Sequence, residues 1–144
     1  MTTLVRHMLV GKPEVYAVAP DDTVFDALHL MAQVNIGAVL VLDDGQVRGI
    51  MSERDYARKM VLHGKSSRET MVREVMTTRV ISVGPDETCG DCMALLTEKH
   101  IRHLPVMDAG RLVGVISIGD VVRAVVREQQ ATITTLEQYI MSGG

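Results

Sequence analysis

The sequence predicts an α+β fold of two tandem β-α-β-β-α units, and three observations carry that expectation. Positions recur 65 residues apart with no gap: Val18-x-Pro20-Asp21-x-Thr23 returns as Val83-x-Pro85-Asp86-x-Thr88, and Val41-x-Asp43-x-Gly45 as Val106-x-Asp108-x-Gly110. A Gly-x-x-Ser-x-x-Asp segment stands in each copy, Gly49/Ser52/Asp55 and Gly114/Ser117/Asp120, with Arg58 and Arg123 following in step. Between these markers the apolar pattern switches from helical spacing to short continuous runs, the signature of helix followed by buried strand. A unit this small cannot easily bury both faces of its sheet, so the copies are expected to pack about a pseudo-twofold axis.

Each element has a local cause. Val5-Arg6-His7-Met8-Leu9-Val10 is a short amphipathic piece ended by Gly11 and Pro13, with a counterpart at Val72-Arg73-Glu74-Val75-Met76. Val15 to Val18 read as a strand. Pro20-Asp21-Asp22-Thr23 is a turn with an N-cap, after which Val24, Ala27, Leu28 and Met31 share one helical face. Gly37 suits the C-cap of that helix. Ala38 to Leu42 is an apolar strand, Asp43-Asp44-Gly45 a tight hairpin turn, and Val47 to Met51 the returning strand. A helix is expected from Ser52 to about His63, before Gly64. The division is then residues 5–63 for the first unit, a polar linker at 64–71, the second unit at 72–126 and a helical tail at 127–144. In the tail Ile133, Leu136 and Ile140 fall on one helical face, a stripe expected to form a homodimer contact.

Bulk properties narrow the function. The chain of 144 residues is 47% apolar and 23% charged, as in an ordinary globular protein able to bury a core. Its net charge of -3, and the absence of a Lys/Arg cluster, speak against nucleic acid as partner. One Phe, three Tyr and no Trp leave few stacking platforms for single strands. Arg6, His7, Lys12 and Glu14 interrupt the first residues, and no apolar run approaches a membrane span, so a cytoplasmic location with no membrane partner is the expectation.

The two Gly-x-x-Ser-x-x-Asp segments carry the chemistry. In each, a strand runs directly into a helix, leaving a helix N-terminus whose first N–H groups and dipole suit an anion such as phosphate. The serine hydroxyl can add a hydrogen bond, and the aspartate could accept two from a vicinal diol such as a ribose. Gly49 and Gly114 mark places where something approaches the strand closely. Ser-x-x-Asp is also a variant of the capping box, in which both side chains serve the helix itself. Thr23-x-x-Asp26 and Thr88-x-x-Asp91, which follow Pro-Asp turns, are read as such caps only.

The duplication, the element order, Met76-Thr77 ahead of the second copy, His103-Leu104-Pro105-Val106 and both Gly-x-x-Ser-x-x-Asp segments together resemble a tandem pair of CBS domains, the module named for cystathionine β-synthase, over about residues 5 to 126. The resemblance implies a non-catalytic regulatory module binding adenosine-containing ligands (AMP, ADP, ATP, NAD(H) or S-adenosylmethionine) in clefts between the paired units. It implies that Asp55 and Asp120 hold ribose hydroxyls and that Ser52 and Ser117 contact phosphate or ribose. Val15 and Val80, which open the first strand of each unit, and Ala38-Val39 and His103-Leu104-Pro105, which open the second, would line the base pocket. Arg54 could reach a phosphate, whereas Gly119 stands at its counterpart, so the first site is expected to prefer more highly charged nucleotides. Output would pass through another, regulated protein, through oligomerisation or through ligand buffering.

A different class of function rests on Cys89-Gly90-Asp91-Cys92. At a helix start the dipole would lower the first thiol's pKa and favour redox exchange. The aligned residues are Val24 and Ala27, core positions, so structural filling is the favoured reading. A dimerisation scaffold with vestigial nucleotide sites is the remaining alternative. No nucleophile with a base and an orienter stands out, and no metal is expected.

Overall fold

The computed structural model describes residues 2–12 and 15–143. The elements are α1 (Val5–Met8), β1 (Ala17–Val18), α2 (Val24–Val34), β2 (Ala38–Asp43), β3 (Gln46–Ser52), α3 (Glu53–Lys59), α4 (Val72–Val75), α5 (Cys89–Lys99), β4 (His103–Asp108), β5 (Arg111–Ser117) and α6 (Ile118–Met141). They form two compact α+β units, one of residues 15–80 and one of residues 2–12 with 81–143.

In the unit 15–80, β1 pairs parallel with β2, and β2 antiparallel with β3. The connecting turn is two residues long, Asp44 and Gly45, both at positive φ (54° and 76°), which matches the twist of the flanking strands. Thr23 caps α2 by accepting a hydrogen bond from the Asp26 amide, and Asn35 ends it in the left-handed region. Gly37, expected as the C-cap, instead accepts the first amide of α3 at 3.0 Å. The core is Val24, Ala27, Met31, Val39, Val41, Met51 and Met60, closed by Val72 and Val75 of α4.

The other unit repeats this plan: β4 and β5 pair antiparallel, with a register irregularity at Val106/Met107 that matches the one at Val41/Leu42. Its two-residue turn is Ala109-Gly110, and His100 ends α5 as Asn35 ends α2. Its core gathers Val83, Cys89, Cys92, Leu96, Leu104, Val106, Ile116, Val121 and Ala124 around Val5 of α1.

The short helices α1 and α4 are thus each packed in the unit built from the other repeat, by matching bonds. Val72 and Arg73 donate their amides to the Asp22 and Pro20 carbonyls; Val5 and Arg6 donate theirs to Glu87 and Pro85. Arg73 pairs with Asp21 at 2.7 Å and Arg6 with Asp86. The Pro-Asp turns therefore serve as docking points as well as helix starts. The segment 64–71, expected as a linker, is part of the 15–80 unit: Val24 and Phe25 donate to Thr70 and Ser67, and Arg68 lies 4.1 Å over the Phe25 ring.

Other sequence expectations shift. The strand expected at Val15 to Val18 keeps only Ala17 and Val18, and Val80 opens no strand: Val83 makes a single bridge to Val106. Pro105 stands where Leu40 pairs with Ala17, and without an N–H it cannot extend the ladder. The helix from Ser52 stops at Lys59 because Met60, fully buried, turns inward at φ -116°; a 3₁₀ turn Val61–His63 follows. Beyond β5 the reverse holds, as the second unit's last helix and the tail form one helix of 24 residues.

Candidate functional site

Both strand–helix junctions form as the sequence requires, β3 passing into α3 and β5 into α6 without an intervening residue. In each the serine caps the helix and the aspartate answers it. Ser52 Oγ accepts from the Asp55 amide at 3.1 Å, and Asp55 Oδ2 accepts from the Ser52 amide at 3.0 Å and hydroxyl at 3.1 Å. Ser117 and Asp120 repeat this at 3.2, 2.7 and 3.1 Å. The first helical amide is bound by the chain entering the neighbouring strand, Glu53 to the Gly37 carbonyl and Ile118 to Arg102. The capping-box reading of these segments is thus realised in full.

The sheet register gathers the other named residues beside the junctions. Ala38 faces Ser52 and Val39 faces Met51; His103 faces Ser117 and Leu104 faces Ile116. Ala38 and His103 are half-buried at the strand openings, whereas Val39, Leu104 and Pro105 are buried in the cores. Val15 lies two residues ahead of the β1 bridge at Ala17, and Val80 three ahead of the bridge at Val83, each half-buried. Arg54 is exposed in the first turn of α3.

The remaining contacts of the two carboxylates come from residues to which the motif reading gave no role in the site. Asp55 Oδ1 accepts from the Thr77 hydroxyl at 3.1 Å and lies 3.1 Å from Lys59 Nζ, which also donates to the Val75 carbonyl at 2.9 Å. Asp120 instead holds two cations, Lys12 and, at 2.8 Å, Arg123. Burial raises the Asp120 pKa, but the bonds from Lys12 and the Ser117 amide outweigh it and hold the carboxyl below its usual value. His103 is shifted down, first by burial and then by Lys12.

The glycines explain the close approach expected at them. A Cβ on Gly49 would stand 2.8 Å from both the Thr77 carbonyl oxygen and Met76 Sδ, where Ile50 and Thr77 exchange backbone bonds. A Cβ on Gly114 would meet Leu9 Cδ2 at 2.6 Å. In both units the neighbour is the stretch following a short helix, Met76-Thr77 after α4 and Leu9 after α1.

The redox alternative meets unfavourable surroundings. Cys89 and Cys92 are free and fully buried. Burial pushes the Cys89 thiol up, aided by Glu128, and Cys92 up to about 11, opposite to the lowering expected of a helix start. Among the described residues no group of three or more His, Cys, Asp or Glu could hold a metal ion, and no helix is long and apolar enough to cross a membrane.

Comparison with known proteins fits this architecture. The family model described as "CBS domain" matches residues 5–62 and 72–127. The chain is similar to CBSX3, a mitochondrial CBS domain-containing protein of Arabidopsis thaliana, at 43% identity over 85% of this chain; it spans 62% of that protein's length. It is 36% identical to the CBS domain-containing protein YhcV of Bacillus subtilis, over 74% of this chain and 76% of that one. Among solved structures, a protein with CBS domains from Burkholderia ambifaria aligns with a TM-score of 0.85 at 49% identity, covering 88% of this chain and 96% of that one. The CBS-domain pair of protein MJ0100, solved with 5′-methylthioadenosine and S-adenosyl-L-methionine, aligns at 0.76 and 25% identity, over 89% and 99%. With both repeats matched along their length, the chain belongs to the CBS-domain family.

Proposed function

We propose that this protein is a non-catalytic regulatory module whose strand–helix junctions bind an adenosine-containing ligand, and that it passes its signal to a separate protein. The observation that carries the reading is the recurrence, in both units, of a carboxylate anchored at a helix N-terminus beside the opening of a buried strand. Such a carboxylate can exchange its present donors for a ribose diol, while the helix start favours the phosphate. The ligands of the MJ0100 pair support the adenosine class. Asp55 and Asp120 would hold the ribose, with Ser52 and Ser117 at the phosphate or ribose; Ala38 and His103 would face the base. Association into a homodimer belongs to the same reading.

The junctions should differ in charge preference. Arg54 is absent from the second, where Gly119 takes its place, but Lys12 and Arg123 already converge on Asp120 there. A ligand that takes the Asp120 oxygens releases two cations that can turn to its phosphates.

Calorimetry and thermal shift with AMP, ADP, ATP, NAD, NADH and S-adenosylmethionine test the proposal. A ligand at about a hundred times its Kd should stabilise the fold by about 2.7 kcal/mol. One of these should bind wild type and fail to bind the Asp55→Ala/Asp120→Ala variant, each compared with its own unliganded melting point. If none binds, the segments are helix caps alone and the scaffold reading takes over.

A further inference from the structure

The two carboxylates differ in what a ligand must displace to reach them. At the second junction the stretch after α1 delivers the group to be displaced. Leu9 packs over Gly114, the Lys12 amide donates to the Leu9 carbonyl at 3.1 Å, and Gly11 between them adopts a φ of 78°; this turn brings the Lys12 ammonium onto Asp120 Oδ2. The other oxygen, Oδ1, accepts from Arg123 at 2.8 Å. Among the described residues Asp120 is the acceptor of both cationic side chains. At the first junction Asp55 Oδ1 meets the Thr77 hydroxyl, a neutral donor, and Lys59, which still holds the Val75 carbonyl at 2.9 Å when the carboxylate is taken. Arg58, which aligns with Arg123, is exposed.

A neutral diol that takes Asp120 strips an ammonium and a guanidinium of their counterion, and charge-assisted bonds of this kind are about twice as strong as the neutral bond lost at Asp55. A ligand that carries phosphate returns the charge. We infer that Lys12 makes the Asp120 junction a charge filter, which rejects neutral adenosine nucleosides and admits adenosine phosphates, while the Asp55 junction admits both. This rests on the nucleotide reading of the junctions and deepens it, because it assigns a ligand class to each and names a residue outside the Gly-x-x-Ser-x-x-Asp pattern that sets the difference. The order is the reverse of the one that Arg54 suggests from sequence. Gly119, its counterpart, does not leave the second junction short of charge: a Cβ there would stand 3.4 Å from Arg123 Nη1, so the guanidinium lies across that position. The Lys12 and Asp120 side chains are 30% and 13% exposed, so added salt screens their pair in part and should relax the filter.

The test titrates adenosine and magnesium-free ATP into the full chain at fixed ionic strength, followed by amide resonances: Ser52 and Asp55 report one junction, Ser117 and Asp120 the other. At the second junction wild type should bind ATP about tenfold or more tightly than adenosine, whereas the first should take both. Lys12→Met should strengthen adenosine and weaken ATP at the second junction, each by about fivefold, and leave the first unchanged; Lys12→Arg, which keeps the charge, should retain the preference for ATP. Wild type that binds adenosine as tightly as ATP beside Asp120 overturns the filter without recourse to a variant. A Lys12→Met effect that is absent, or of the same sign for both ligands, overturns it too, and in these cases the nucleotide reading stands. If neither ligand moves either pair of amides in wild type, the nucleotide reading of the junctions falls and the filter with it.

Discussion

The junctions at Asp55 and Asp120 share their cap, carboxylate and hairpin and differ in the donors that reach the carboxylate. Serine cap, answering carboxylate and bulged hairpin superpose residue for residue. Yet Asp55 is 9% exposed and meets a neutral hydroxyl and one lysine, whereas Asp120 meets two cations and lies beside His103. Duplication copied the local geometry faithfully; divergence acted on the through-space partners.

The largest expected effect that would break the comparison is steric. Gly49→Ala drives a Cβ against the Thr77 backbone, which is itself bonded to Ile50, and overpacking of that kind costs about 1–3 kcal/mol. Gly114→Ala presses only on the end of Leu9, which can rotate, and should cost less than about 1 kcal/mol. Urea midpoints at constant m compare them; equal losses would show that the two close approaches are equally rigid.

Next comes the neutral donor. Thr77→Val removes one hydrogen bond to Asp55 and should cost about 1 kcal/mol, while Lys12→Met, at a partly exposed pair, should cost less than about 1 kcal/mol. Equilibrium denaturation of the two variants reads this. A Lys12→Met loss larger than that of Thr77→Val would invert the ranking.

The smallest effects are in titration. His103 has its folded pKa below the ordinary value, so the unfolded chain binds its proton first; its contribution is present above about pH 6.5 and is lost as pH falls through the lowered folded value. His103→Gln should flatten the fall of the melting temperature below about pH 6.5, and Ala38, its counterpart, supplies no such dependence. Asp120, also lowered, keeps its contribution above the ordinary carboxylate range and loses it only as pH falls through its folded value. Finally, Ellman titration at pH 8 should find Cys89 and Cys92 unreactive until the fold opens; prompt reaction of either would restore the redox alternative.

Much of this was legible because the repeat is internal evidence. Copies at a fixed spacing identified turns, caps and junctions, and the alignment of Cys89 and Cys92 with Val24 and Ala27 marked them as core. What the sequence could not announce are contacts between distant residues. Thr77 lies 22 positions from Asp55, and Lys12 lies 108 from Asp120. Neither belongs to the Gly-x-x-Ser-x-x-Asp pattern. Helix ends followed burial more than propensity: Met60 turns into the core and breaks a helix the polar pattern would have continued, while α6 ran past the repeat because nothing in its sequence stops it.

The placement of α1 and α4 has a consequence for how the chain acquires its shape. Residues 15–80 hold every piece of their own core in one continuous stretch, so this half can close as soon as it leaves the ribosome. The other half cannot: Val5 must wait until residues 83–124 have been made before it finds its neighbours. One unit is topologically an insertion within the other, and closing the outer one requires joining segments about seventy residues apart, a step whose entropic cost grows only logarithmically with the length between them. Non-local closure of this sort slows folding more than it weakens the result, so the inner half should protect its amides from hydrogen exchange first during refolding, with the outer half following as a separate phase.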